Sequence, residues 1–281
     1  MSGQQTDLIG VIGVGRMGQA IVRHLGRCGF SSFVFDIGRD QLEAARQLGA
    51  SIAASPAEVG AKTRMVIIAV GYEEEVTAVT RGDDGLLTTM SDGSLLIVSS
   101  TCTPEFVKDL SGACGQKGIE FVDSPICRGA MAADAGTMLA MVGASEAAYE
   151  RAKPVLGTFC KDIALLGPVG SGQFGKALNN FLLWVNGVAL IEAGRLSEAN
   201  GMDLVKLREA LLMSSGSSDA LKNWENVSFI WALKDMQIFL KMADRAGLSL
   251  PVAGAIKELV KDSLRIKRSS PPDWTGRARR G

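Results

Sequence analysis

The sequence predicts an α/β protein: a doubly wound, mostly parallel sheet in the N-terminal part, followed by an all-α C-terminal part. Three observations predict it. Short β-branched runs alternate with helix-length segments from Leu8 to about Gly143, a glycine motif follows the first run directly, and after Gly167 the pattern changes to long helical stretches with few strand signals. At 281 residues with 47% hydrophobic residues, the chain is long enough to build two modest cores. We place the boundary near Leu165, giving domains 1–165 and 166–281.

In chain order, the strand candidates are LIGVIG, FVF before Asp36, MVIIAV, LLIVSS, IEFVD and MLAMVG, with an amphipathic helix expected over 17–28. Runs such as VIIAV are apolar without alternation, as in strands covered by helices on both faces, and belong mid-sheet. Beyond Gly167 the spacing predicts helices over about 173–200, 204–213, 231–246 and 251–266. The most apolar of these, 181–191, contains Asn186 and is too short for the roughly 20 residues of a membrane span, so it reads as a buried core helix. The tail RIKRSSPPDWTGRARRG is basic, and Pro271 with Pro272 ends any helix before it. It reads as a partly ordered, solvated terminus, or as a segment closing over an anionic ligand or a neighbouring subunit.

Lys+Arg and Asp+Glu both number 30, so no overall charge favours nucleic acid or an anionic membrane as partner. The five cysteines form no C-x-x-C pair and the only histidine is His24, which argues against a metal site. The opening MSGQQTDLIG has no signal-peptide pattern, and the expected setting is a reducing cytoplasm. His24, on the helix after the glycine motif, reads as a surface or cap-adjacent residue. Glu73, Glu74 and Glu75 read as a solvated helix start. Trp224, Phe229 and Trp231 either wall a cleft or fill a helical core or interface.

Gly13-Val14-Gly15-Arg16-Met17-Gly18 follows a strand and opens a helix, the context that gives a G-x-G-x-x-G pattern meaning. Gly13 permits the turn, Gly15 admits a pyrophosphate close to the backbone, and Gly18 lets helix pack on strand, while the helix N–H groups face the phosphates. This is the dinucleotide fingerprint of a Rossmann domain; the alternative is a glycine-rich turn without a ligand. Asp36 ends the second strand where an acid would accept bonds from the adenosine ribose, and its charge favours NAD over NADP, although Arg39 lies close by.

A second constellation joins the turn Gly167 to Gly172 to a helix carrying Lys176 and Asn180, which at i and i+4 share one face. They interrupt an apolar surface of Phe174, Leu178, Phe181 and Leu182, where burying an amine and an amide without purpose would cost several kcal/mol. The alternative is that Lys176 reaches solvent along its own stem and Asn180 caps a neighbouring helix.

With Ser100-Thr101-Cys102-Thr103-Pro104, Asp123-Ser124-Pro125-Ile126-Cys127-Arg128-Gly129, Ala135-Gly136-Thr137 and Lys234-Asp235-Met236, these motifs stand in the order of one family. Over nearly its whole length the chain resembles the β-hydroxyacid dehydrogenases, which include 3-hydroxyisobutyrate dehydrogenase and tartronate semialdehyde reductase. The resemblance implies an NAD-dependent oxidoreductase that moves a hydride between nicotinamide and a small 3-hydroxy acid or its semialdehyde. In that reading Lys176 is the general acid/base and Asn180 a substrate-binding amide. Cys127, Arg128 and Gly129 form the loop for the substrate carboxylate, and Thr101, Lys234, Val70 and Gly71 contact the cofactor together with Gly13, Gly15, Arg16, Met17, Gly18 and Asp36. A lysine serves both directions if desolvation lowers it from about 10.4 toward roughly 7 to 8.

Two departures stand out. Gly71 replaces the proline of the family's usual Leu-Pro, and Cys127-Arg128-Gly129 replaces Ser-Gly-Gly. Arg128 suggests a substrate with an extra anion and resembles the sulfolactaldehyde reductases, unless it faces solvent or pairs with a structural acid such as Asp134. Cys127 reads as a packing residue. Imine reductases are a rival reading, opposed by Lys176 and Asn180, and a non-catalytic NAD-binding or chromatin-reader-like protein is another, opposed by the neutral overall charge and the intact lysine. The apolar main helix predicts a homodimer or homotetramer.

Overall fold

The computed structural model describes residues 8–276. The chain divides into two compact units, the first running to Lys176 and the second starting at Ala177. In the first unit the described strands are β1 (Leu8–Ile12), β2 (Ser31–Phe35), β3 (Ser51–Ile52), β4 (Met65–Ile68), β5 (Leu95–Val98), β6 (Glu120–Asp123), β7 (Ile126–Cys127), β8 (Met138–Gly143) and β9 (Cys160–Gly167). They form one sheet in the order β3-β2-β1-β4-β5-β6-β8-β7, with β9 added on β8. From β3 to β6 every pairing is parallel; β8 runs antiparallel to β6 and β7, and β9 parallel to β8.

This is a doubly wound sheet, and the apolar runs explain it. Val11, Ile67, Leu95, Ile97 and Val122 enter one core, while Ile12, Val66, Ile68, Leu96 and Val98 enter another, so each central strand buries both of its faces. The covering helices are α1 (Arg16–Arg27), α2 (Arg39–Gln47), α3 (Pro56–Lys62), α4 (Glu73–Arg81), α5 (Pro104–Gly115), α6 (Gly129–Ala135) and α7 (Glu146–Leu156). Several start on a textual cue. Ser55 and Thr103 each accept a backbone N–H with their hydroxyl and are followed by Pro56 and Pro104 at the first helical position. The strand order reverses between β1 and β4, so the carboxyl ends of those strands form the switch point where such sheets bind ligands.

The second unit contains most of α8 (Ser171–Ala199), then α9 (Leu204–Leu212), α10 (Asp219–Lys222), α11 (Ala232–Arg245) and α12 (Pro251–Ser269). Its core gathers Trp184, Val188, Leu221, Trp224, Phe229, Met236 and Trp274. Each indole N–H finds an acceptor: Trp184 donates to Asp235 Oδ2 at 3.0 Å, Trp224 to the Pro272 carbonyl at 3.2 Å and Trp274 to the Leu190 carbonyl at 3.1 Å. Two expectations are corrected here. The helix over 181–191 is not buried all round, since Leu182 is 58% exposed. The segment after α12 is not a solvated tail as far as Gly276: Pro272 and Trp274 are buried, and Pro272 Cβ lies where a Cβ on Gly194 would come within 2.3 Å. The remainder of the basic tail, 277–281, lies outside the described residues. Among the described residues, no helix is long and apolar enough to cross a membrane.

Candidate active site

At the switch point the glycines do three different things. Gly13 has φ +85°, and a Cβ there would come within 2.7 Å of Val70 Cγ1 and 2.8 Å of the Ala69 carbonyl oxygen. A Cβ on Gly18 would stand 2.0 Å from the Gly13 carbonyl oxygen, so helix and turn touch only because Gly18 has no side chain. Gly15 is the opposite case, with no heavy atom within 4 Å of its Cβ position. It faces open space at the start of α1, where no side chain caps the helix. Uncapped N–H groups beside that space fit a pyrophosphate. Asp36 sits at the end of β2 and binds the glycine turn, accepting from Val14 N at 2.7 Å and from Gly38 N at 2.8 Å. Its neighbour Ile37 is 91% exposed and Arg39 opens α2 at the surface.

Other expected cofactor residues are tied to their neighbours. Val70 N donates to Ser100 Oγ at 2.9 Å, beside Thr101, and Gly71 N donates to Glu75 Oε2 at 2.7 Å. The acidic run is therefore not merely solvated: Glu75 also accepts from Tyr72 N at 3.1 Å, and Glu73 accepts from Thr103 N. Met17 packs against the first core. The Arg16 guanidinium forks onto Asp134, one of its bonds at 2.7 Å, and Arg23 approaches the same carboxylate at 3.3 Å. Hydrogen bonding to Arg16, above all, holds Asp134 down to about 2.

The loop expected to meet substrate leaves β7 at Cys127, whose side chain is buried. Arg128 then adopts φ 80°, a left-handed conformation that glycine takes without strain, and Gly129 follows at φ 70°. Its guanidinium donates to Asp162 Oδ2 at 2.6 Å and to the Thr137 carbonyl at 3.1 Å. Arg128 thus has a structural acid as partner, but it is Asp162 on β9; Asp134 is held by Arg16 and Arg23. The helix that follows, α6, is pinned from beneath by His24. That residue is 6% exposed, which corrects its reading as a surface residue. Its Nε2 lies 2.9 Å from the Ala133 carbonyl and 3.2 Å from that of Asp134, so it carries the proton and donates. The ring occupies the space beside Gly136, where a Cβ would lie 2.8 Å from His24 Cε1.

Lys176, half-buried on the second turn of α8, donates from Nζ to the Ile126 carbonyl at 2.8 Å, one residue before Cys127. The amine, the loop 127–129 and the Val70–Ser100 pair are thus brought together in the first unit by the ends of neighbouring strands. In the second unit Asn180 is buried and accepts from Asn179 Nδ2 at 3.0 Å. Lys234 lies in the first turn of α11 with Nζ 5.7 Å from the centre of the half-exposed Trp231 ring, while Trp224 and Phe229 belong to the core. Sequence reasoning passed over two buried residues. Asp123, at the end of β6, accepts N–H groups from Gly170 and Gln173 at 2.8 Å each, and Gln173 reaches both Ser100 and Cys102. Burial pushes Asp123 up to about 6, and the backbone donors hold it from going further.

Fold and site together define a dinucleotide-binding α/β protein with an amine held beside a helix-opening loop at the strand ends. Comparison with known proteins narrows this. The profile described as the NAD binding domain of 6-phosphogluconate dehydrogenase matches residues 8–167, and that described as the NAD-binding of NADP-dependent 3-hydroxyisobutyrate dehydrogenase matches 170–270. The chain is 34% identical over 207 residues to a probable mitochondrial 3-hydroxyisobutyrate dehydrogenase of Dictyostelium discoideum, covering 74% of this chain and 64% of that protein. It is 33% identical over 214 residues to an NAD-dependent L-serine dehydrogenase of Pseudomonas aeruginosa, covering 76% and 72%. Its fold matches the Mycobacterium tuberculosis 3-hydroxyisobutyrate dehydrogenase with L-serine at a TM-score of 0.84 and 23% identity, over 95% of this chain and 96% of that one. The chain belongs to the β-hydroxyacid dehydrogenase family. Its match spans less than two thirds of the length of the first 3-hydroxyisobutyrate dehydrogenases, 64% and 62%.

Proposed function

We propose that this chain is an NAD-dependent oxidoreductase acting between a small 3-hydroxy acid and its semialdehyde, with Lys176 as the general acid/base. The observation that carries the reading is the bond from Lys176 Nζ to the Ile126 carbonyl, which holds the amine at the mouth of the loop 127–129. Bound nicotinamide supplies the hydride acceptor in oxidation and the donor in reduction. Lys176 takes the hydroxyl proton as the carbinol carbon loses its hydride, and returns it to the carbonyl oxygen in reverse. Gly13, Gly15 and the start of α1, with Arg16, Met17 and Gly18, would hold the pyrophosphate, and Asp36 the adenosine ribose. Val70, Gly71, Thr101 and Lys234 would line the remainder, and Asn180 would bind substrate. Asp36 supports NAD over NADP because its carboxylate, facing the glycine turn, would repel a 2′-phosphate.

For the substrate, the loop Cys127, Arg128, Gly129 would hold a carboxylate. The Arg128 bonds to Asp162 and Thr137 support a simple 3-hydroxy acid over a sulfonate, because the guanidinium already has an anionic partner. The five free cysteines support a reducing compartment such as the cytoplasm. Exposed Phe174, Leu178 and Leu182 form an i, i+4, i+8 line on α8 and support association with a second copy as a homodimer or homotetramer. The deciding test is NAD reduction by the purified protein over a panel of three- and four-carbon 3-hydroxy acids, carboxylated and sulfonated, beside Lys176→Ala. Turnover on simple members is expected, with kcat lower by about 10² or more in the variant and NAD affinity kept. A variant that turns over normally removes Lys176 from the chemistry.

A further inference from the structure

The first turn of α8 does more than lead to Lys176. Gln173 is 1% exposed and uses both ends of its amide: Oε1 accepts from Cys102 N at 3.0 Å, and Nε2 donates to the Ser100 carbonyl at 2.9 Å. Those two bonds straddle Thr101. The backbone of the same residue is fixed independently, because Gln173 N donates to Asp123 Oδ2 and Gly170 N to Oδ1, both at 2.8 Å. Asp123 is fully buried, and its surroundings leave it no slack. A Cβ on Gly172 would lie 2.7 Å from Oδ2 and 2.4 Å from the Met141 carbonyl oxygen, and one on Gly143 would lie 2.3 Å from Oδ1. One turn on, Lys176 binds Ile126, three residues past Asp123.

Two strand-end segments, 100–102 and 123–126, are therefore both fastened to the first two turns of one helix. The first is fastened through a side chain that water does not reach. Leaving a buried amide half unpaired costs about 1–3 kcal/mol, enough to move the segment rather than strand the group. A Glu75–Gly71 bond at 2.7 Å and a Ser100–Val70 bond at 2.9 Å extend the same framework to the next strand end.

We propose that Gln173 is a positioning residue that sets the distance between the Thr101 segment and the turn presenting Lys176, so that amine and cofactor segment meet in one geometry. This rests on the reading of Lys176 as acid/base. A misplacement of about 1 Å at a reacting centre lowers rates by as much as about 10²-fold, and that is the scale of effect at issue.

The test uses the full chain. Gln173→Leu removes both amide bonds at similar volume. Its kcat on the best hydroxy acid of the panel is expected to fall about 10- to 100-fold well below its melting temperature, with KM changed less than about threefold. In the NAD-free chain, amide hydrogen exchange at Cys102 is expected to quicken about tenfold or more as its acceptor is lost. An undiminished kcat, or unchanged exchange at Cys102, overturns the proposal. Gln173→Glu supplies a test that survives poor folding of the leucine variant. A glutamate keeps the acceptor for Cys102 but regains the donor to Ser100 only when protonated, so the ratio of its kcat to that of wild type should climb as pH falls from 8 to 6. A ratio that stays flat and well below one overturns the proposal, because the protonated glutamate restores both bonds, whereas a ratio near one throughout means that burial keeps the carboxyl protonated and both bonds made. Absence of turnover in the wild-type chain on every hydroxy acid is a different result: it defeats the oxidoreductase reading itself.

Discussion

The two units bury polar groups to different ends. In the first, Asp123, Gln173 and His24 lie at strand ends or between helices and bind backbone groups of segments far away in sequence, so each fixes a distant loop or helix end in place. In the second, three indoles set into an apolar core donate to Asp235 and to the carbonyls of Pro272 and Leu190, closing that core rather than aiming anything. Buried polarity in the first unit serves geometry, and in the second it serves cohesion. Substitutions in the first should therefore disturb specificity and pH response, and those in the second stability.

The largest effect should come from the cohesive side. Trp274→Ala empties a fully buried site and is expected to cost about 3–5 kcal/mol in urea unfolding, whereas Leu196→Ala on the exposed face of α8 should cost about 0.5 kcal/mol or less. Equal losses would erase the contrast. Next is Asp123, whose folded pKa of about 6 lies above the unfolded value of about 3.9. The folded chain then holds an extra proton between those values, so this group's contribution is fully present below about pH 4 and is lost as pH rises through 6. Relative to Asp123→Asn, wild type should lose about 1–3 kcal/mol between pH 4 and 7, and parallel profiles would show the carboxyl unshifted.

Asp36→Asn tests aim: the NAD/NADP ratio of kcat/KM should fall about tenfold, while losing one of the two acceptors for the glycine turn costs only about 1 kcal/mol of stability. An unchanged ratio would strip Asp36 of its cofactor role. The smallest effect is expected at Arg128. Glycine there relieves a left-handed side-chain conformation worth about 1–2 kcal/mol and gives up a surface ion pair worth about 0–1 kcal/mol. Arg128→Gly should thus leave stability within about 1–2 kcal/mol of wild type and keep turnover on simple 3-hydroxy acids. Loss of turnover confined to doubly anionic substrates would restore the sulfonate reading.

The six strand candidates and the glycine turn were legible because each is a local pattern: an apolar run of the right length, or glycines whose need can be read from one turn. β3 was not, being two residues long, nor was β9, where Lys161, Asp162 and Leu166 are exposed and the run CKDIALLG has no uniform face. Lys176 was legible as a cation on an apolar helix. Gln173, three residues earlier, looked like any polar residue of a first turn, since its partners at 100 and 102 are more than seventy positions away. His24 failed for the same reason, its acceptors lying 109 and 110 positions downstream. A usable signal for Asp123 did exist: an acid ending an apolar strand has to find donors, and the glycine-rich turn before α8 offers bare N–H groups.

One consequence of the His24 contact concerns observation rather than catalysis. Because the chain has one histidine, its ring protons give a single, unambiguous set of imidazole resonances. The ring is wedged against the end of α6, the helix that begins at the loop 127–129, so those resonances register that loop's helix directly. The protein carries its own magnetic reporter there, readable without introducing a label.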